Sequence, residues 1–162
     1  MIAIRRLTAA DIDAVLAIEA AAPEAAAWSR QAYETILGDP ARGICLLAVN
    51  DDARREQITV GFVCFRVIGP EAELLNLAVL PPFRRLGIGA RLLGEALQDA
   101  AHRGAHEIFL EVRDSNLVAR ALYKRFGFEI KGRRPKYYHD PPEDALTLHR
   151  CLEMPELEIR SW

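Results

Sequence analysis

The stretch that most constrains this chain is Arg84-Arg85-Leu86-Gly87-Ile88-Gly89. It lies between an apolar run, Leu74-Leu75-Asn76-Leu77-Ala78-Val79, and a helical pattern, Leu92-Leu93-Gly94-Glu95-Ala96-Leu97. A strand that breaks into a basic, glycine-spaced turn and then a helix is suited to holding an anion. Glycines let backbone N–H groups approach a ligand closely. The start of a helix adds unpaired donors and a partial positive charge. The anion this turn suits best is a phosphate.

Three phosphate motifs compete. A P-loop needs two glycines five apart followed by Lys and Ser or Thr, but Gly89 is followed by Ala90-Arg91, so that reading fails. A dinucleotide fingerprint needs a third glycine three residues after Gly89, where Leu92 stands, and it opens a regular βαβ series, whereas this turn is mid-chain. From the turn alone, a plain strand-to-helix junction with solvated arginines stays open.

The surrounding pattern is that of one domain. The chain has 162 residues, 51% of them apolar and 27% charged, enough for a real core. A net charge of -2 gives no overall bias toward nucleic acid. No apolar run is long enough to span a bilayer. The start, Met1 to Arg6, reads as a strand rather than a signal peptide, because its charges follow its apolar residues. Cys45, Cys64 and Cys151 are odd in number and far apart in strand-like runs, which predicts reduced, buried thiols in a cytoplasmic protein.

Periodicity predicts a strand at Ile2 to Arg6, then a Thr8/Asp11 capping box opening a helix that ends near Pro23. Ser29 caps a second helix through Leu37, stopped by Gly38-Asp39-Pro40. Strands follow at Ile44 to Val49 and Ile58 to Val67, joined by a charged turn at Asn50 to Gln57, and then at Glu73 to Val79. A long helix runs from about Gly87 to His102 and ends at Gly104. Glu107 to Val112 has little exposed polarity and is read as a central strand. Asp114 or Ser115 caps a helix carrying Ala119, Leu122 and Tyr123, which ends at Gly127, and Phe128 to Lys131 and Ala145 to Leu152 are closing strands. The order βααββ-βαβαββ has no repeat or linker and predicts a mixed α/β (α+β) domain over residues 1–154 around one sheet, with 155–162 as a tail.

Arg84-x-x-Gly87-x-Gly89 resembles the Q/R-x-x-G-x-G/A signature of the GNAT acetyltransferases. Leu110 to Asn116, then Ala119, Leu122-Tyr123 and Gly127-Phe128, resemble the second half of the RimI-type N-terminal acetyltransferases, and Arg134, Tyr137-Tyr138 and Glu143-Asp144-Ala145 continue the match. The resemblance is strongest from Asn76 to Leu148. Before that, Ile18-Glu19 and Trp28-Ser29 are its main echoes. It implies the GNAT fold: a mostly antiparallel sheet of about seven strands flanked by about four helices, splayed into a V by a bulge in the strand ending at Val79. It implies acetyl-coenzyme A as co-substrate, no metal, and a protein N-terminus as acceptor, by resemblance that of a ribosomal protein with a small first residue. No nucleic acid or membrane contact is expected, and the chain is expected to be a monomer or weak homodimer.

Carried over residue by residue, the resemblance makes Arg85, Leu86, Gly87, Ile88, Gly89 and Ala90 the pyrophosphate loop, with Arg84 at the signature's first position. Leu77, Ala78 and Val79 offer backbone to the pantetheine arm like an added strand, and an N–H near Ala78 or Val79 meets the oxyanion. Asn116 bonds the pantetheine arm, and from its position it also reads as a helix cap. Glu111 takes the amine proton, through water in RimI-like enzymes. As a lone carboxylate in Ile108 to Val112 it also reads as a strand-end acid paired to an arginine. Tyr123 is the acid that protonates the leaving sulfur. By helical spacing with Ala119 and Phe126 it reads equally as a core tyrosine. Trp28, Tyr138 and Tyr137 line the acceptor groove.

Several features fit no such role. His102 and His106 are split by Gly104, and His139 and His149 have no partner in the sequence, so no metal site is expected. Arg133 to Tyr138 reads as an exposed basic turn, or as a nucleic-acid patch. Two departures concern the acceptor side and its neighbour: Ala26-Ala27 stand where RimI-type enzymes tend to have Phe-Pro, and Leu80 stands where an acidic or polar residue commonly follows the strand. Two rival functions stay open: acetylation of a small amine, and coenzyme A sensing without turnover. No cysteine lies in the motif, so attack is expected to be direct, in a ternary complex.

Overall fold

The structure, a computed structural model, describes residues 1–51 and 56–152. The whole of the predicted 155–162 tail and the middle of the predicted Asn50 to Gln57 turn fall outside that range. The elements are β1 (Ile2–Arg6), α1 (Ile12–Ala21), α2 (Arg30–Leu37), β2 (Gly43–Asn50), β3 (Ile58–Ile68), β4 (Glu71–Val79), α3 (Ile88–His102), β5 (Glu107–Arg113), α4 (Leu117–Arg125), β6 (Glu129–His139) and β7 (Pro142–Cys151). Short 3-10 turns precede α1 and α3. Among the described residues no helix is long and apolar enough to cross a membrane.

One seven-stranded sheet runs β1-β2-β3-β4-β5-β7-β6. Every neighbouring pair is antiparallel except β4 and β5. That parallel pair spans only Glu71, Ala72 and Glu73 against Glu107, Ile108 and Phe109. Beyond it the two strands part, so the predicted V is present and β5 is interior as expected.

The two faces carry separate cores. One packs α3 and α4 through Leu92, Leu93, Ala96, Ile108, Leu110 and Tyr123. The other packs α1 and α2 through Ile12, Val15, Ile18, Tyr33, Leu47 and Phe62. Cys45 and Cys64 lie in the second core, directly opposite each other on β2 and β3 and free. The sequence separated them; the register brings them together. Cys151 is exposed rather than buried.

The predicted bulge lies in β4. Cys64 pairs with Asn76 and Phe65 with Leu74, so Leu75 is extra. An inserted residue breaks the two-residue alternation of a strand. Leu75 packs against the α1–α2 core and Asn76 points to the same side. There Asn76, 3% exposed, donates through Nδ2 to Glu19 Oε1 at 3.1 Å and to the Ala26 carbonyl at 2.9 Å. Glu19 Oε1 also accepts from the Tyr33 hydroxyl at 2.8 Å and from the Trp28 N–H at 2.8 Å. Burial pushes the Glu19 carboxyl up, and burial together with Glu19 pushes the Tyr33 phenol well above its ordinary range. One polar knot thus ties α1, α2, the loop between them and the bulge.

Two boundaries differ from the sequence reading. The cap of α4 is Asn116, whose side chain accepts from the Ala119 N–H at 3.2 Å, rather than Asp114 or Ser115. Ser115 instead donates its N–H to Glu143 Oε1 at 2.6 Å. The basic run Arg133 to Tyr138 is not a turn: it belongs to β6, paired to β7 across a bulge between Arg134 and Tyr138 where Lys136 has φ +50. The Lys136 N–H donates to Asp144 Oδ1 at 2.9 Å. A bulge with a left-handed lysine has the composition of a loop, which hid the strand.

Replacing Asn76 by Ala leaves Glu19 and the Ala26 carbonyl short of a buried donor. Asn76→Ala should cost about 2 kcal/mol of stability, read as a shifted midpoint in urea unfolding. An unshifted midpoint would show that the knot does not stabilise the fold.

Candidate active site

The anion cradle forms where β4 turns into α3. The chain runs through the 3-10 turn Pro81–Phe83 and then takes two left-handed residues, Arg85 at φ +64 and Gly87 at φ +77. Gly87 is the N-cap of α3, and the first helical bond runs from the Arg91 N–H to the Gly87 carbonyl at 3.0 Å. The N–H groups at the start of α3, from Ile88 on, therefore precede the helical ladder and face outward as donors. Ile88 is buried in the α3 core while Leu86 is 66% exposed, so the loop is anchored at one side and open at the other. Arg84 is oriented inward: its Nε donates to the Val79 carbonyl at 3.2 Å and its guanidinium pairs with Glu24 on the α1–α2 loop. It braces the cradle against that loop.

Next to the cradle lies the open edge of β4. β3 pairs one side of Leu77, Ala78 and Val79, and β5 has already parted from the other. Ala78 is buried, while Leu77 and Val79 are half-buried. On the β5 side the Leu77 N–H is taken by Asn76 Oδ1 at 3.0 Å and the Val79 carbonyl by Arg84, and the remaining backbone groups have no strand partner there, an edge that accepts an extended ligand by adding it as a strand. Asn116 stands across the gap at the start of α4, its amide oxygen engaged in the cap.

Glu111 is two residues past the last β4–β5 pair, on the β5 wall of the gap. Strand alternation puts it on the α1–α2 face with Phe109, away from the buried Leu110. Its side chain is 19% exposed, and its Oε1 lies 2.9 Å from Arg134 Nε. Oε2 is buried with no hydrogen-bond partner. Glu111 borders a cleft of about 290 Å³ lined also by Arg66, Glu73, Phe109, Arg134 and Thr147.

Tyr123 approaches from the other face. It is buried on α4 with its ring edge-on to Phe128 at 5.8 Å, and burial pushes its phenol well above the ordinary range. At neutral pH it is a protonated phenol, which can donate. Tyr138 links the two faces electrically. Burial pushes it up to about 12 against the pull of the Arg113 guanidinium, which stacks 4.1 Å from its ring centre, and Glu111 raises it further. Tyr138 in turn raises Tyr123. Tyr137 is 45% exposed, edge-on to Tyr138 at 5.1 Å, and beside Glu111, whose carboxylate, ahead of burial, raises its phenol. Trp28 is half-buried beside Tyr33 at 5.4 Å, on the α1–α2 wall held by the Glu19 knot.

The structure therefore gathers the cradle, the open edge, Asn116, Glu111, Tyr123, Tyr137 and Tyr138 around one gap, with Trp28 on the loop at the α1–α2 side. Sequence reasoning gave Glu19, which positions that loop, no role beyond the Ile18-Glu19 echo, and passed over Glu24, which locks Arg84. Glu19 stood beside Ile18 at helical spacing, and only the bulge at Leu75 reveals its partner. His149, predicted to lack partners, has two: Glu107 Oε1 at 3.5 Å from its Nε2 and Cys151 Sγ at 4.0 Å. The register of β5 and β7 lines these three up on one face.

Residues 12–128 match the model of the acetyltransferase (GNAT) family. The ribosomal protein bS18-alanine N-acetyltransferase of Salmonella typhimurium is 35% identical over 150 residues, 91% of this chain and 96% of that protein. The crystal structure of the ribosomal-protein-S18-alanine N-acetyltransferase from Escherichia coli has a TM-score of 0.81 at 29% identity and covers 99% of this chain and 100% of that one. Arabidopsis thaliana Naa50, solved with the bisubstrate analogue CoA-Ac-MVNAL, shares the fold with a TM-score of 0.78 at 24% identity, over 92% of this chain and 97% of that one.

An alanine at position 87 must adopt the left-handed region, at about 1–2 kcal/mol for an L-residue. Gly87→Ala should weaken coenzyme A binding about tenfold in calorimetry and leave the urea m-value unchanged. Unchanged affinity would remove the cradle from the binding site.

Proposed function

This chain belongs to the acetyltransferase (GNAT) family, and from that premise we propose that it transfers the acetyl group of acetyl-coenzyme A to the α-amine of a protein N-terminus. By similarity to the bS18-alanine enzymes, the acceptor is a ribosomal protein that begins with a small residue. The observation that carries the reading is the unpaired edge of β4, with the anion cradle at its end and Glu111 across the gap. Similarity along nearly the whole chain to protein N-terminal acetyltransferases favours neither a small amine nor a sensor without turnover. The free thiols Cys45 and Cys64 suit a reducing compartment, so we place the activity in the cytoplasm.

The coenzyme supplies an activated acetyl thioester. The N–H groups of the loop from Arg85 to Ala90 hold the pyrophosphate, and the edges of Leu77, Ala78 and Val79 with Asn116 hold the pantetheine arm. Their task is alignment, which converts a bimolecular encounter into a reaction within one complex. An α-amino group has an ordinary pKa of about 7.7–8.0, so most acceptors arrive protonated at neutral pH. Glu111 takes that proton, directly or through a water, and frees the nitrogen lone pair for attack on the carbonyl carbon. An N–H at Ala78 or Val79 donates to the carbonyl oxygen as negative charge builds there. The C–S bond then breaks as Tyr123 gives its proton to the departing sulfur, and the second proton of the acylated nitrogen leaves through water and restores the Tyr123 phenol. Trp28, Tyr137 and Tyr138 wall the acceptor's first residues.

Glu111→Gln should lower kcat by about 10²-fold or more, and Tyr123→Phe by a similar factor, with coenzyme affinity kept in both. Parent-like turnover in both variants would sink these assignments. Incubating the protein with acetyl-coenzyme A, a library of peptide N-termini and a panel of small amines, read by mass spectrometry, tests the acceptor class. Acetylated α-amines on alanine- or serine-starting peptides are expected, and products confined to small amines would overturn the reading.

A further inference from the structure

The two oxygens of Glu111 have opposite surroundings. Oε1 is held 2.9 Å from Arg134 Nε, and Oε2 is buried with nothing to accept. Arg134 is delivered by the bulge in β6. Arg134 pairs with Ala145 and Tyr138 with Glu143, so three residues of β6 oppose Asp144 alone. The left-handed Lys136 makes this possible, and its N–H is pinned to Asp144. The bulge places Arg134 beside both Glu111 and the Tyr137 ring, whose centre is 5.7 Å from the guanidinium carbon.

The neighbouring arginines are engaged elsewhere. Arg133 bonds Asp114 at 2.8 Å and Asp144 at 3.1 Å. Arg113 bonds Glu143 at 3.3 Å and stacks on Tyr138. Arg66, in the same cleft, lies opposite Glu73 on β4, a second carboxylate that faces Glu111 and Arg134, so Arg134 is the cation within ion-pair distance of Glu111 among the described residues. Its side chain is 60% exposed, so it carries charge to a carboxylate that is 19% exposed while remaining hydrated itself. A guanidinium also suits this better than an ammonium, because its fixed plane holds a carboxylate in one orientation.

We propose that Arg134 is a positioning residue for Glu111: it fixes Oε1 and the plane of the carboxylate, and leaves Oε2 as the one atom presented to the acceptor amine or its relay water. This rests on the reading of Glu111 as the base. Oε2 then receives the proton of the α-ammonium while Oε1 stays paired, and no bond to Arg134 is made or broken. Without the guanidinium Oε1 loses its partner and the carboxylate turns about its side-chain bonds, so proton transfer slows while the acceptor still binds.

The test uses the full chain, acetyl-coenzyme A and an alanine-starting peptide, with Arg134→Gln, Arg134→Lys, Glu111→Gln and the Glu111→Gln/Arg134→Gln pair. Arg134→Gln should lower kcat about tenfold with the KM for the peptide within about twofold of the parent's, and Arg134→Lys should restore part of it. Coenzyme affinity and melting temperature should stay at the parent values. In the Glu111→Gln background, Arg134→Gln should change kcat by less than about twofold, because residues acting as one unit do not add. A parent-like kcat in Arg134→Gln, or losses that multiply in the pair, would overturn the positioning role. If Glu111→Gln abolishes turnover but Arg134→Gln keeps the parent kcat, this inference alone fails. If Glu111→Gln turns over like the parent, the base assignment fails and this inference with it.

Discussion

Parallel strands β4 and β5 share three residue pairs and then part, and the site is organised around the gap they leave. An open strand edge inside a sheet is a liability, because unpaired N–H and C=O groups invite any extended chain. Here the edge at Leu77 to Val79 is tolerated because it is short and ends in the cradle at the start of α3. Closing the gap would extend the ladder and give a more regular sheet. It would also remove the one place where a long, thin ligand can lie with its phosphate end on a helix start and its other end beside Glu111. The gap further joins two cores that would otherwise be separate, so that Tyr123 from one face and Glu111 from the other bear on the same space.

The parting is reinforced from the α1–α2 side. The extra Leu75 puts two consecutive residues on one face, and the second is Asn76, which meets Glu19 from α1 and Tyr33 from α2. A buried carboxylate is costly unless donors surround it. Glu19 has three, from the Trp28 N–H, the Tyr33 hydroxyl and the Asn76 amide. The same knot therefore stabilises the bulge and fixes the loop carrying Trp28. Glu24 on that loop reaches Arg84 at the cradle. Donor side and acceptor side are mechanically connected through two short contacts, although no strand joins them.

The parts that were legible in the sequence are those governed by local physics. The strand-turn-helix at Arg84 to Gly89 follows from glycine conformation and helix-end chemistry. The Ser29 cap, the Gly104 and Gly127 stops and the apolar stripe of α3 follow from the same local rules. What was not legible depends on register and insertion. β6 looked like a basic turn because a bulge needs residues that resemble a loop. Cys45 and Cys64, far apart along the chain, meet only once β2 and β3 pair. Glu19 was marked by resemblance alone and Glu24 by nothing, since a carboxylate on a helix or a loop is ordinarily solvated. The α4 cap was read at Asp114 or Ser115, with Asn116 as an alternative, because all three are good caps, and the engagement of Ser115 by Glu143 decides among them.

Glu111 shows why a bland and a functional reading of one residue need not exclude each other. The sequence allowed it to be either an acid paired to an arginine or a base, and the geometry has the pairing at one oxygen and a bare, buried oxygen at the other. A carboxylate with neither oxygen held would present no fixed orientation to an incoming proton donor. A fully satisfied one would have no lone pair to offer. Pairing half of the group from an exposed, hydrated arginine avoids both outcomes. The orientation is fixed, and one acceptor site is reserved. The same logic explains why the partner comes from a bulged strand at the sheet edge. A regular strand would alternate its side chains away from the gap, whereas the left-handed Lys136 lets Arg134, Tyr137 and Tyr138 gather beside Glu111 at once.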